Sequence, residues 1–137
     1  MTTQSQNVLA GIQIPENWEG SGPEYIAYQT FVQLGLEPDK DFVYQSPLMG
    51  GRMDKGGFVI DFLFIEPPDL AVNVQGVYYH YEQNGVVTKG RDTMARASLA
   101  GDNITLIFID DDDLLSDPTY YCREALNYRD HSRLGRG

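Results

Sequence analysis

The sequence predicts a single α/β domain, with elements in the order αβββαβ around a mixed central sheet flanked by helices. Three observations carry this expectation. Apolar residues recur at helical spacing after Pro23, and three runs with strand character follow, separated by Gly and Pro. A helical stretch at 88–100 then leads into the nearly all-apolar ITLIFID at 104–110, the pattern of a strand buried on both faces. At 137 residues, 42% hydrophobic and 22% charged, the chain is long enough for one core and too short for two.

Residues 1–22 are polar, Gly-rich at their end and without a sustained period. They read as a flexible arm with Trp18 as its one large aromatic. The domain spans 23–130. Pro23 suits a first helical position, and Ala27, Tyr28, Phe31 and Leu34 form an inward stripe that Gly35 ends. Residues 42–46 (FVYQS) read as a short strand, and Gly50 to Gly57 as a loop. In FVIDFLFI (58–65), Phe58, Ile60, Phe62 and Phe64 take one face and Val59, Asp61, Leu63 and Ile65 the other. Pro67-Pro68-Asp69 turns the chain into LAVNVQGVYYH (70–80), a hairpin partner interrupted at Gly76. Asp92, Ala95 and Leu99 share the inward face of the helix at 88–100, which Gly101 ends. Asp117-Pro118 opens a last helix to about Tyr128, with Asp as N-cap and Pro at N1. Residues 131–137 read as a frayed basic tail.

Twenty acidic against ten basic residues give a net charge of -10, which excludes a global basic field for nucleic acid and leaves only local phosphate contacts. The single Cys122 excludes an internal disulfide and a Cys-rich zinc site. No stretch approaches the roughly 18 to 20 apolar residues of a membrane span, and MTTQSQN is no signal peptide. The expected place is the cytoplasm, with no membrane partner.

Four inward acid or base candidates lie on separate elements: Glu24, Asp61, His80 and Asp92. An isolated buried carboxylate costs several kcal/mol unless it is paired or metal-bound, and a shared cation would offset all of them. Glu24 has a plainer reading as a first-turn acid complementing the helix dipole. His80, after Tyr78-Tyr79, would alone be a polar stop to a strand; with Asp61 and Asp92 it reads as a base. Asn73 and Gln75, two apart, share a strand face. An acidic run such as Asp110 to Asp113 can bind a cation, but consecutive residues point apart and we read a solvated loop.

VIDFLF, AVNVQGVYYH, the helical RD at 91–92 and ITLIFI together resemble the very-short-patch-repair endonucleases of the PD-(D/E)XK nuclease superfamily and the related EDxHD homing endonucleases. The likeness runs from about Pro23 to Phe108. It implies a PD-(D/E)XK restriction-endonuclease-like core and a metal-dependent DNA endonuclease that hydrolyses phosphodiester bonds of double-stranded DNA. Matched residue by residue, it places Glu24, Asp61, Gln75, His80 and Asp92 in the active site. Asp61, the Val74 backbone carbonyl and Gln75 would hold Mg2+, for which Mn2+ may substitute. His80 would activate water, Asp92 would orient its imidazole, and Glu24 would reach the metal through water.

Tyr78 and Tyr79 align with an aromatic pair that the repair enzymes insert into DNA, though tyrosines at a strand end are also ordinary core or surface. Lys89, Arg91 and Arg96 form a local basic strip for DNA, and so acidic a chain calls for a protein partner or a fused recognition module. Two departures stand out. Asn73 and Gln75 occupy positions where most of the superfamily carries Asp or Glu and Lys, and the repair enzymes' zinc cluster is missing, so no structural zinc is expected. The alternative is a nuclease fold without chemistry, serving as an interaction or assembly subunit, for example in a bacteriophage.

Overall fold

The computed structural model describes residues 13–18, 20–46, 60–76, 96–97 and 99–133. Helix α1 (Gly22–Gln33) precedes strands β1 (Phe42–Ser46), β2 (Ile60–Phe64) and β3 (Leu70–Gln75). Helical residues at 96–97 and 99–101 lead into β4 (Thr105–Asp110), followed by α2 (Asp111–Ser116) and α3 (Pro118–Leu126). The four strands form one mixed sheet in the order β1-β2-β3-β4, with helices packed against it. β1, β2 and β3 pair antiparallel as a meander; β4 pairs parallel to β3, from Leu70↔Thr105 to Gln75↔Asp110. A parallel neighbour requires a crossover connection, and the helical residues at 96–101 lie on it.

Local chemistry sets the limits of α1. The Ser21 hydroxyl accepts the Glu24 N–H at 3.2 Å, Pro23 lies in the first turn, and Gly35 follows the helix at φ 100°, a conformation that favours glycine. Ala27 and Phe31 are fully buried as the stripe predicts, and Tyr28 and Leu34 pack at the margin of the same core. Thr30 enters that core with its hydroxyl satisfied by the Ile26 carbonyl at 2.7 Å.

Two apolar clusters hold the sheet. The larger joins Phe31 of α1 to Phe42, Phe62, Phe64, Val72, Ile107 and Ile109, with Leu114, Cys122 and Ala125 from α2 and α3. Phe31 is its hub, its ring 5.1 Å from that of Phe64 and 5.3 Å from that of Phe62. Burial pushes the Cys122 thiol up to about 12, so the one cysteine is a core residue and not a nucleophile. The second cluster contains Ala71, Leu99, Leu106 and Phe108. Ile60 also belongs to it, although alternation along β2 groups Ile60 with Phe62 and Phe64. Burial still alternates along β2, with Ile60, Phe62 and Phe64 buried and Asp61 and Leu63 half-buried.

The chain after β4 corrects two expectations. The run Asp110 to Asp113 is not a solvated loop: Asp110 is 1% exposed, and Asp111, Asp112 and Asp113 form the first turn of α2, where carboxylates complement the helix dipole while Leu114 and Leu115 face the core. The tail is not frayed as far as Arg133. Asp110 Oδ2 accepts the Arg133 backbone N–H at 3.0 Å and its guanidinium at 2.8 Å, and the same guanidinium reaches Asp112 at 2.9 Å. Burial opposes ionisation of Asp112, yet the bond and charge of Arg133 hold its carboxyl below the usual aspartate range. Asp130 adds a second clamp, its Oδ2 accepting the Phe108 N–H and the Arg96 guanidinium, each at 2.9 Å. Glu124 anchors the turn between them through His131 at 2.9 Å and Arg129 at 2.7 Å, and these two bonds lower its pKa. Residues 129–133 thus lie along the outer side of β4, satisfying polar groups that an edge strand would otherwise expose.

Arg133→Ala leaves the Asp110 carboxylate buried without its cation and should cost about 3 kcal/mol in urea denaturation. Adding Asp110→Asn should recover part of that loss, because the buried charge that Arg133 neutralised is then gone. A single variant as stable as the parent would contradict this role for the tail.

Candidate functional site

The feature that organises the site is a break in β2 at Asp61. On the β1 side the register is continuous, with Phe42↔Phe64, Val43↔Leu63, Tyr44↔Phe62 and Ser46↔Ile60. On the β3 side it runs Leu63↔Ala71 and Phe62↔Val72 and stops there. The Ile65 N–H bonds to the Asp41 carbonyl, on the β1 side, and two-residue periodicity would send the Asp61 N–H the same way. It donates to β3, to the Asn73 side-chain Oδ1, at 2.8 Å. In return the Val74 N–H donates to Asp61 Oδ2 at 2.8 Å. Two side-chain oxygens therefore stand in for strand carbonyls, and Asp61, half-buried, is held in the opening between β2 and β3.

A strand residue presents its N–H and C=O to the same neighbour. Val74, whose N–H meets Asp61, therefore turns its carbonyl toward the same opening. Gln75, 2% exposed, follows at the end of β3 beside Asp110 of β4. The structure thus brings Asp61, Val74, Asn73 and Gln75 together at one end of the sheet.

Glu24 stands on the first turn of α1, where its Oε1 accepts the Tyr44 hydroxyl of β1. Trp18 stacks on Tyr44 with centroids 4.6 Å apart and meets Tyr25 and Tyr28 edge-on. Its indole N–H donates to the Ser21 carbonyl at 3.0 Å. The end of the segment read as a flexible arm is in this way packed against α1 and β1. Gly20 lies so close that a Cβ there would collide with Tyr44 Oη and meet Glu24 Oε1 at 2.8 Å.

His80, Asp92, Tyr78, Tyr79, Lys89 and Arg91 lie outside the described residues. Arg96 is described, and its guanidinium is paired with Asp130 and lies 5.0 Å from the centre of the Phe108 ring. A phosphate at Arg96 would have to compete with that pair.

Among the described residues, the acidic cluster whose ligand atoms lie within 4.8 Å of one another is Asp110, Asp112 and Asp113, and it could hold a metal ion. None of the three is a ligand expected from sequence, and Arg133 already supplies a cation to Asp110 and Asp112. A cleft of about 630 Å³ lined by Asp69, Arg96, Asn103, Thr105 and Asp130 opens at the start of β4, the opposite end of the sheet from Asp61.

Compared with protein-family models, curated proteins and solved structures, the chain matches none. The sequence reading missed Tyr44 as the partner of Glu24 and Arg133 as the partner of Asp110. Tyr44 sits on an alternating strand like any core aromatic, and Arg133 lies far along the chain from the carboxylate it neutralises.

Gly20→Ala should displace the Tyr44 hydroxyl from Glu24, because the Tyr44 ring is wedged against Trp18 and cannot swing away freely. The expected cost is about 1–3 kcal/mol, with altered emission from Trp18, the single tryptophan of the chain. Unchanged emission and stability would show that the approach is not as tight as described.

Proposed function

We propose that this chain is a divalent-metal-dependent endodeoxyribonuclease with a PD-(D/E)XK-like core, of the very-short-patch-repair or EDxHD kind, acting on double-stranded DNA. The observation that carries the reading is the Asp61 carboxylate held at an interrupted rung with the Val74 carbonyl turned toward it. An antiparallel β1–β2–β3 meander with β4 parallel to β3 also fits the element order that the resemblance implies.

The donor set suits Mg2+ or Mn2+. A carboxylate, a backbone carbonyl and the Gln75 amide oxygen are all hard oxygen donors, and Asp61 is fixed on a strand and not on a loop. A divalent cation bound there would neutralise charge developing on the scissile phosphate and lower the pKa of an attacking water.

In this reading the chain's own residues do the rest. Asp61 and Val74 fix the position at which the phosphate is bound. His80 takes the proton from water, and Asp92 orients its imidazole. Glu24, aligned by the Tyr44 hydroxyl, positions water beside the cation. DNA approaches along Lys89 and Arg91, with Arg96 less available because Asp130 holds it. Tyr78 and Tyr79 face the duplex. At net charge -10 the chain repels phosphate elsewhere, so binding should be steeply salt-dependent and should gain from a protein partner or a fused recognition module.

Supercoiled plasmid incubated with the purified chain and Mg2+ or Mn2+ should be nicked or linearised, and chelation should stop the reaction. Asp61→Asn keeps the side-chain volume and an acceptor for the Val74 N–H but loses the carboxylate. It should lower the rate by more than the roughly 10–100-fold typical of residues that only support a ligand, with an unchanged circular dichroism spectrum. Metal-independent cleavage, or full activity in Asp61→Asn, would remove this reading.

A further inference from the structure

We propose that Asn73 is a positioning residue of this site: its side-chain carbonyl takes the place of a strand carbonyl, opens β2 from β3 by one rung, and so aims the Asp61 carboxylate. For the use made of Asp61 the inference rests on the nuclease reading; for the geometry it rests on the strands alone.

A residue that held a metal would point its oxygen at the metal. Asn73 Oδ1 instead accepts the Asp61 N–H at 2.8 Å, directed at backbone. An amide is in any case a poorer ligand than a carboxylate for a hard cation. Removing the amide would take from the Asp61 N–H the β3 acceptor that draws it toward Asn73 and would let the Asp61–Asn73 rung of the β2–β3 ladder close. Val74 would then bond to the β2 backbone as in a regular ladder, and Asp61 Oδ2 would lose the N–H that now holds it.

The residue type follows from the same geometry. Continuing the Phe62↔Val72 register places position 73 opposite position 61, so an acid there would set two carboxylates against each other across adjacent strands. Asn supplies the acceptor without the second negative charge. What reads in the sequence as the loss of a ligand is, in the structure, a bond that positions one.

Amide hydrogen exchange of the full chain, followed residue by residue by NMR, tests this in Asn73→Ala and Asn73→Asp. In Asn73→Ala the Val74 amide, whose hydrogen bond is to Asp61 and not to the Asn73 side chain, should exchange about tenfold faster, while Phe62 and Val72 keep their protection. Mn2+ affinity, read from calorimetry, should fall with it. Asn73→Asp keeps an acceptor oxygen but sets a second carboxylate opposite Asp61, so it should recover part of the protection of Val74 and not all of it. Unchanged Val74 exchange in Asn73→Ala would overturn the proposal, as would faster Val74 exchange with Mn2+ affinity unaltered or a failure of Asn73→Asp to recover any protection. Loss of Val74 protection in a chain whose parent neither binds Mn2+ nor cuts plasmid would uphold the strand geometry and overturn the nuclease reading.

Discussion

A carboxylate set in the apolar run FVIDFLFI has to find its hydrogen bonds within the sheet, and the end of the sheet is shaped by the way Asp61 finds them. Leaving it unsatisfied would cost several kcal/mol. Asp61 takes the Val74 N–H, and Asn73 takes the Asp61 N–H in exchange. The consequences run outward from that exchange: the β2–β3 ladder stops at Phe62↔Val72, and Val74 turns its carbonyl toward the opening. Below the break, Phe31, Phe62 and Phe64 keep the ladder rigid, so the irregularity is local and held in place.

The same constraint recurs at the neighbouring strand end with a different solution. Asp110, beside Gln75, is buried and neutralised by Arg133, which returns from the C-terminal segment to reach it. Arg96 is engaged by Asp130 and Arg129 by Glu124 in a similar way. Among the described residues, Lys40, Arg96, Arg129 and Arg133 are thus paired with the chain's own carboxylates, in a protein with ten basic residues and twenty acids. Fewer cations are therefore left for an outside anion than composition alone suggests.

Much of the fold was legible because its signals are local. Alternation marked β1 at 42–46, and the apolar runs marked β2, β3 and β4; Pro23 and the Asp117-Pro118 pair marked the helix starts. Asp61 stood out because a lone acid in an apolar strand violates the pattern of its neighbours. What sequence did not reveal depends on distant partners. Arg133 belongs to a segment that looks like a tail until Asp110 is placed beside it, and Trp18 looks like a stray aromatic until Tyr25, Tyr28 and Tyr44 surround it. Helix α2 was hidden by its three acids, although acids in a first turn followed by two leucines are themselves a helix signal. The histidine and second aspartate of the expected site, His80 and Asp92, lie outside the described residues, so their convergence on Asp61 rests on the resemblance.

The account turns on where a divalent cation binds. A crystal of the full chain soaked in Mn2+ and measured at an energy that gives an anomalous manganese signal answers this directly. The predicted result is a peak within inner-sphere distance of both an Asp61 carboxylate oxygen and the Val74 carbonyl. A peak only among Asp110, Asp112 and Asp113, or none at Asp61 in a chain that still cleaves DNA, would contradict it.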